Sequence, residues 1–409
     1  MGATGWELVD LVARWIHVIA AIMWVGNSML FNWLDRNLQK PGSRSASGSI
    51  GEIWLLHSGA FYYVDKTLLG DQKMPKTMHW FFLQAFTTLG SGFVLLIAVY
   101  WAGGRAVMAD ITVANLTHLQ AVMLGLGAIL VGNFIYQTSN DHIAPRSPGL
   151  SAVVWIASLA AISIALTQFL NGRAAFLHVG AMLGVIMATN VGRTILPSQR
   201  ALVASIEKGG DAGEAKKLSD RAKRVSIHNN YFTFPVILLM VSNHFSALYS
   251  NRLSWILLLV IFTAGALIRH IMNIRFTWAP WKPALAATGV AGTALVYGLI
   301  LAGNAGLTIG PARPPLGNLP DSTTLTAVSF GEVRHVVDRR CAVCHSSNPI
   351  DLSFGVAPGG VMFDTPEQIM ARQSRILERA VVTRTMPPAN KTRITDAERA
   401  ILGAWAQSR

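Results

Sequence analysis

Apolar residues fill the first three quarters of the chain in runs of about 20 residues, the length that crosses a bilayer as an α-helix. Eight such runs lie near residues 11–31, 79–101, 116–136, 150–170, 174–195, 231–249, 253–270 and 282–303. A few residues around Asn171 separate the fourth and fifth runs, which predicts a tight helical hairpin. The pattern therefore predicts an all-α fold built on a polytopic membrane helical bundle of about eight spans.

The segment from Glu52 to Leu69, between the first two runs, has helix length but mixed polarity. We interpret it as an amphipathic helix on the membrane surface. The alternative is a re-entrant segment that lines a cavity.

Composition supports the membrane assignment. The chain is 52% hydrophobic and 13% charged, whereas soluble domains are about 25% charged. The net charge of +13 does not form a basic stripe, so we expect no nucleic-acid partner. The lipid bilayer is the expected surrounding.

The basic residues cluster in alternate loops, which predicts the orientation of the bundle. Six Lys and Arg lie in 32–78 and eight in 193–230, whereas loops of the opposite parity hold only Arg105, Arg173 and Arg252. Basic loops are expected on the cytoplasmic side. With eight spans, both termini then lie outside.

The chain divides into a membrane domain (1–305), a Pro/Gly-rich linker (306–324) and a C-terminal domain (325–409). The only two cysteines, Cys341 and Cys344, lie in the last part, in CAVCH. Two thiols one helical turn apart can bind the two vinyl groups of a haem, and His345 then becomes an axial iron ligand. A redox dithiol is the alternative for the motif alone.

Met386, in TRTMPPAN, is the expected second iron ligand. Helices are predicted at FGEVRHVVDRR and at ITDAERAILGAWAQ, where Thr395 and Glu398 form a capping box. Helix, C-x-x-C-H, Met-Pro loop and helix resemble a class I cytochrome c over residues 325–409. The resemblance implies one covalent haem c that transfers single electrons outside the cytoplasm.

Ionisable residues inside membrane spans mark candidate functional sites. His17, His118, His178 and His244 fall in the outer part of the predicted bundle, on the side of the C-terminal domain. Two of them could ligate a b-type haem, and three could hold a metal ion. Alternatively, each bonds a backbone carbonyl or lines a wet cavity.

A second polar group, SIHNNYFTFP, opens the sixth run near the cytoplasmic side and contains His228, Asn229 and Asn230. It is either an N-capping stretch at the membrane surface or a hydrogen-bonding site for a polar, planar substrate.

Four strings resemble the membrane domain of bacterial membrane-bound urate oxidases (urate hydroxylases), whose members end in a cytochrome c. They are RWIHVIAAIMWVGNSMLFNWLD, GEIWLLHSGAFYYVDK, FLHVGAMLGVIMATNVGRTILPSQR and HNNYFTFPVILLMVSNHF. The resemblance implies oxidation of urate to 5-hydroxyisourate with water as the oxygen source. It also implies electron transfer through haem c to a respiratory chain, at a bacterial inner membrane with the cytochrome domain in the periplasm.

Within that resemblance, residue roles follow from type and depth. His57, His228, Asn229 and Asn230 are the expected catalytic residues. Asn190, Arg193 and Asn243 are expected to bind urate. His17, His178 and His244 are the expected ligands of a second redox centre, a haem b or a metal ion, because urate gives up two electrons and haem c accepts one.

Two other functions fit parts of the sequence. Quinol oxidation at a bis-histidine haem b would explain the outer histidines. A membrane protein that only transfers electrons or handles haem would explain the weak resemblance of His17, Trp24 and Gly26 to small haem-binding membrane proteins.

Overall fold

In the computed structural model, long helices, one β-hairpin and a small helical C-terminal region make up the chain. The structure describes all residues except 1–2, 47, 68–74, 103–104, 110–112, 115, 210–211, 306, 308, 310–327, 352–356, 383 and 408–409. Most of the predicted linker 306–324 thus lies outside the described residues.

Eleven helices precede the linker among the described residues. They are α1 (Ala3–Asn37), α2 (Leu83–Leu95), α3 (Arg105–Met108), α4 (His118–Thr138), α5 (Pro148–Phe169), α6 (Gly172–Asn190), α7 (Leu196–Glu207), α8 (Ala212–Ser242), α9 (Ser246–Tyr249), α10 (Ser254–Ile274) and α11 (Trp281–Asn304). Wider π-helical turns continue α2 (Leu96–Trp101), α4 (Ser139–Ile143) and α6 (Val191–Ile195). Only Leu170 and Asn171 join α5 to α6, which confirms the predicted hairpin.

Seven of the described helical stretches are long and apolar enough to cross a membrane. They are Leu8–Asn37, Leu83–Trp101, His118–Ile143, Pro148–Phe169, Gly172–Glu207, Ser254–Ile274 and Trp281–Gly303. The predicted sixth span, 231–249, is not among them, because α8 ends at Ser242 and carries many polar residues. The largely helical bundle is confirmed, with seven helices that suit membrane spans, and the count of eight spans stays a prediction.

The stretch 193–230, expected to be a connecting loop, is largely helical. The turn after Asn190 leads directly into α7, and α8 begins as early as Ala212. Good helix formers such as Ala, Lys, Arg and Glu fill the first turns of α8. SIHNNYFTFP therefore lies in the middle of α8, and its interpretation as an N-capping stretch is wrong.

Helix α6 lies at the centre of the bundle. It packs against α2, α4, α5 and α8, and α8 packs in turn against α10. In the most apolar 18 residues of Gly172–Glu207, 72% of the residues are buried. In the most apolar 18 residues of Trp281–Gly303, none is buried. The outer helices expose large apolar side chains, which suits contact with lipid tails.

In the segment from Glu52 to Leu69, the described residues 52–67 do not form a helix. Strands β1 (Ser49–His57) and β2 (Ala60–Thr67) form an antiparallel hairpin in which Trp54 pairs with Tyr63. Ser58 and Gly59 both have positive φ, the requirement of a two-residue hairpin turn of the mirror-image type. Aromatic and branched residues on both sides of Ser-Gly were the signal for this hairpin.

The C-terminal region contains α12 (Phe330–Arg340), α13 (Pro366–Ala371), α14 (Gln373–Ile376) and α15 (Asp396–Gln407). A π-helical stretch, Leu377–Val382, follows α14, and short 3-10 turns span Pro358–Gly360 and Pro388–Asn390. Helices α12 and α15 coincide with the two predicted ones, and Thr395 and Glu398 form the predicted capping box. Arg340 on α12 holds the Glu398 carboxylate on α15 with two nitrogens, both 2.9 Å from Oε1.

We predict that Gly125→Ala destabilises the bundle while Gly127→Ala does not. A Cβ at Gly125 would lie 2.5 Å from Cδ2 of His178, whereas a Cβ at Gly127 would meet nothing within 4 Å. Alanine stabilises a helix relative to glycine by about 1 kcal/mol, and both variants share this gain. Only the clash with His178 on α6 distinguishes Gly125→Ala from Gly127→Ala. Thermal unfolding in detergent measures the difference, and equal melting temperatures would contradict the packing of α4 on α6.

We predict that Glu398→Gln loosens α12 and α15 by about 1–3 kcal/mol at neutral pH. Partial burial raises the pKa of Glu398, but the Thr395 amide and Arg340 outweigh it and hold this pKa below its ordinary value. The carboxylate therefore stabilises the fold above the unfolded pKa of about 4.3, and this stability is lost as pH falls through the lower folded pKa.

Hydrogen–deuterium exchange of the α12 and α15 peptides, corrected for intrinsic rates, follows this loss. Asp338→Asn is the matched control, because it removes an exposed ion pair to Arg334, which is worth only about 0.5 kcal/mol. A Glu398→Gln effect that persists unchanged to acidic pH would show that the charge is not its cause.

Candidate functional site

Five side chains from three helices form one hydrogen-bonded network inside the bundle, which we call the α6–α8 cluster: Tyr136, Gln137, Asn190, His228 and Asn229. Asn190, fully buried, lies at its centre. Its Nδ2 donates to the Tyr136 hydroxyl at 3.1 Å and to Oδ1 of Asn229 at 2.8 Å, and its Oδ1 accepts from Gln137 at 3.0 Å. This network links α4, α6 and α8.

The backbone near the α6–α8 cluster departs from regular α-helix. The π-helical turn Val191–Ile195 directly follows Asn190, and the turn Ser139–Ile143 begins two residues after Gln137. Such turns occur frequently at functional sites because they change the direction in which side chains leave a helix. Here both lie at the end of the bundle where the polar side chains meet.

His228 has one engaged and one free ring nitrogen. Its Nδ1 lies 2.7 Å from the Tyr136 hydroxyl, and its Nε2 has no hydrogen-bond partner among the described residues. Asn229 is fixed in addition by donation from Nδ2 to the carbonyl of Met187 at 2.9 Å. An oriented histidine with one free nitrogen can accept or donate a proton.

Asn230, the next residue along α8, points to a different neighbour and forms what we call the Arg269 cluster with Arg269 and Asn273 of α10. Oδ1 of Asn230 accepts from Nε of Arg269 at 3.1 Å and from Nδ2 of Asn273 at 2.7 Å. All three side chains are buried. Arg269 was not among the residues predicted from the sequence, although an arginine within the predicted span 253–270 is a signal that could have identified it.

The three residues expected to bind urate are not together. Arg193 is half-exposed and pairs with Asp141 at 2.8 Å. Asn243 accepts from the Tyr100 hydroxyl at 3.0 Å and from Nε of Arg173 at 2.5 Å. Asn243 follows Asn229 by fourteen residues, about 21 Å along a helix, so only Asn190 of the three belongs to the α6–α8 cluster.

His57, expected to act with His228, ends strand β1 next to the hairpin turn. It is exposed, and its Nδ1 lies 2.7 Å from the hydroxyl of Ser58. The described hydrogen bonds connect it to no member of the α6–α8 cluster. A joint catalytic role of His57 and His228 stays a prediction.

His178 and His118 share one tryptophan, Trp101. The Trp101 indole donates to Nε2 of His178 at 3.1 Å, and its backbone carbonyl lies 2.7 Å from Nε2 of His118. Nδ1 of His178 lies 2.7 Å from the carbonyl of Ala174. Both ring nitrogens of His178 are thus engaged, so it could bind iron or another metal only after the indole of Trp101 moves away.

The other two expected redox ligands lie apart from this tryptophan. His17 on α1 binds α2, with Nδ1 3.0 Å from the carbonyl of Thr88 and 3.2 Å from the Ser91 hydroxyl. His244 is exposed in the turn after α8. The described residues contain no group of three His, Cys, Asp or Glu that could hold a metal. A second redox centre at His17, His178 and His244 stays a prediction.

In the C-terminal region, Cys341 directly follows α12, and both cysteines are free thiols. Nδ1 of His345 lies 3.0 Å from the carbonyl of Val361, and Nε2 has no hydrogen-bond partner in the described part of the chain. Iron-ligating histidines have this arrangement, because the Nδ1 hydrogen bond fixes the ring. Met386 exposes 36% of its surface. Two thiols, a free imidazole nitrogen and an exposed thioether fit a c-type haem.

The thiols do not have the properties of a redox dithiol. Burial is the main cause that raises the pKa of Cys341 to about 12 and that of Cys344 to about 11. A redox-active C-x-x-C motif needs the opposite, an attacking thiol with a lowered pKa. Cys344 is buried and Cys341 partly buried, and the raised pKa of both thiols favours a structural or cofactor-binding role of the motif.

The C-terminal region meets the membrane part at the end where His178 lies. Helix α3 packs against the turn Pro388–Asn390, just after Met386. The carbonyl of Met108 in α3 accepts from the amide of Asn171, in the α5–α6 hairpin, at 2.9 Å. The candidate iron ligand Met386 is thus near the end of the bundle where α6 begins.

Comparison with known protein families gives one match. Residues 3–301 match the family described as Urate oxidase N-terminal, which is more than half of the chain. The chain belongs to the urate oxidase N-terminal family. No curated protein and no solved structure gives a significant match.

The match to the urate oxidase N-terminal family contains both polar clusters and the outer histidines. It ends before Cys341, Cys344, His345 and Met386. The family therefore supports a urate-related oxidoreductase in the membrane part. The haem-binding interpretation of the C-terminal region depends on the motif and geometry of that region alone.

We predict that the members of the α6–α8 cluster stabilise the bundle as a unit. Asn190→Leu leaves Gln137, Tyr136 and Asn229 each without one partner, which we expect to cost about 2–4 kcal/mol. Tyr136→Phe removes one group of the same network. The double variant should lose less than the sum of the two single losses, by at least about 0.5 kcal/mol. Unfolding in detergent measures all three, and strict additivity would contradict the network.

Proposed function

We propose that this protein is a membrane-bound urate oxidase that converts urate to 5-hydroxyisourate and passes the electrons to a haem c in its own C-terminal region. The family match over residues 3–301 carries the assignment of urate. Seven helices of membrane-spanning length support a location in the bilayer. Residues Cys341–His345 support the link to a cytochrome.

The proposed reaction balances with water as the oxygen source. Urate and one water yield 5-hydroxyisourate, two protons and two electrons. A bond forms between C5 of urate and the water oxygen, and the electrons leave one at a time to a one-electron acceptor. A respiratory chain then reoxidises that acceptor.

The α6–α8 cluster supports the proton transfer in this proposal. His228 would accept a proton from the attacking water at Nε2, because Tyr136 holds its Nδ1 at 2.7 Å. Asn190 and Asn229 would fix Tyr136 and present amides to the polar edges of the substrate. General-base catalysis by a positioned histidine contributes about 10²–10⁴-fold to a rate.

Four residues would hold the haem. Cys341 and Cys344 would attach it covalently, and His345 and Met386 would bind its iron. The bound group supplies reversible one-electron chemistry at its iron. Val361 fixes the ring of His345, and Arg399 donates to the carbonyl of Met386 at 3.0 Å, which positions the loop of the second ligand.

The proposed location is a bacterial inner membrane, with both termini and the C-terminal region in the periplasm. This orientation requires that α8 also crosses the membrane, which brings the number of spans to eight. The Lys and Arg residues in 32–78 and 193–230 support this orientation. The packing of α3 against Pro388–Asn390 is in accord with it, since the loop of α3 lies on the side opposite to those basic connections.

We predict that urate alone reduces the purified protein. In an anaerobic reduced-minus-oxidised spectrum, urate should produce the band of a c-type haem, and this band should be missing in Cys341→Ser/Cys344→Ser. A second band, typical of a b-type haem, would indicate a further haem in the membrane part. His228→Gln should slow the reduction by urate about 10²-fold or more, whereas reduction by dithionite stays unchanged.

His142→Gln is the control for this histidine, because His142 is exposed and lies outside the α6–α8 cluster. Reduction of the wild type by dithionite but not by urate would overturn the proposed function, and reduction by a quinol instead would assign a different donor. Oxygen from labelled water should appear in the product.

A further inference from the structure

Arg269 is a buried charge in a helix of membrane-spanning length, and no acidic side chain among the described residues pairs with it. Its side chain is 2% exposed, and it lies within the span Ser254–Ile274. None of the ion pairs among the described residues includes it. An unpaired charge in such surroundings is costly, and residues of this kind face a functional site by default.

We propose that Arg269, Asn230 and Asn273 bind the anionic edge of the substrate, a planar oxopurine. This inference rests on the proposed function, since urate is a monoanion at neutral pH. It assigns the recognition of the negative charge to the Arg269 cluster rather than to Arg193, whose charge Asp141 already neutralises at 2.8 Å.

The unused hydrogen-bonding groups of the cluster define what it can bind. Oδ1 of Asn230 accepts hydrogen bonds from Nε of Arg269 and Nδ2 of Asn273. Nη2 of Arg269 and Oδ1 of Asn273 are left buried without a partner. One cationic donor and one acceptor on neighbouring side chains complement a ring edge that carries an anionic oxygen or nitrogen next to an N–H.

The surrounding helices hold these groups in place. Arg269 and Asn273 are one turn apart on α10 and so share a face. A Cβ at Gly265, one turn earlier, would lie 2.9 Å from the nitrogen of Pro235 in α8. The two backbones therefore approach closely, and Asn230 can reach both partners. The guanidinium also lies over the ring of Phe234, 5.4 Å from its centre.

A purely structural role explains these observations less well. A cation–π contact returns less free energy than the desolvation of an ion costs. Arg269 also lies five residues before the end of α10, and the next residue, His270, is exposed. An anion could therefore approach from this end of the bundle without crossing its centre.

The test measures binding of labelled urate to the full-length protein in detergent, by equilibrium dialysis without oxygen. The protein is first reduced with dithionite so that bound urate cannot be oxidised. Arg269→Gln should raise Kd at least tenfold, and Arg269→Lys should give a smaller rise, because lysine keeps the charge but not the planar set of donors. Arg275→Gln is the matched control, since Arg275 also stacks on a phenylalanine, Phe276, near the end of α10.

Asn273→Asp keeps the test decisive if Arg269→Gln does not fold. The new carboxylate would neutralise the guanidinium inside the protein, so Kd for urate should increase at least tenfold, although Oδ1 of Asn230 loses the hydrogen bond that it accepts from Nδ2 of Asn273. A folded Asn273→Asp variant with unchanged Kd would overturn the inference. So would equal affinity of Arg269→Gln and wild type, if urate still reduces the wild type. A wild type that neither binds urate nor is reduced by it would instead remove the proposed function.

Discussion

Burial of a polar helix inside an apolar bundle is the constraint on which this structure depends. Three consecutive residues of α8, His228, Asn229 and Asn230, would each be costly to bury without a partner. Tyr136 binds the first, Asn190 the second, and α10 the third. The positions of α4, α6 and α10 around α8 are therefore set by hydrogen bonds as much as by apolar packing.

The polar side chains inside the bundle form two groups at different positions along it. The α6–α8 cluster and the Arg269 cluster lie at one end, and His178, Trp101 and His118 lie towards the other. His178 and Asn190 are twelve residues apart, about 18 Å along α6. If urate is oxidised beside Asn190, its electrons must cover this distance to reach the C-terminal region. The aromatic and imidazole side chains around Trp101 lie on that path.

The sequence was sufficient for features that depend on local patterns. Run length predicted eight spans, seven of which match described helices that are long and apolar enough to cross a membrane. The capping box of Thr395 and Glu398 was predictable from four residues. The hairpin 49–67 was missed because its aromatic strands also fit an amphipathic helix, and only Ser58-Gly59 distinguishes the two. Long-range pairing is different in kind, since no local signal says that Asn230 meets Arg269 rather than Asn190.

The difference between local patterns and long-range pairing also explains which site residues could be predicted from the sequence. Asn190, His228 and Asn229 are polar residues within or beside apolar runs, so their type and depth marked them. Arg193 has the right charge, but a carboxylate on another helix, Asp141, neutralises it. Arg269 has no such partner among the described residues and therefore keeps its charge available. In a membrane protein, the informative property of a basic residue is thus whether a counter-charge reaches it, and this property depends on the fold.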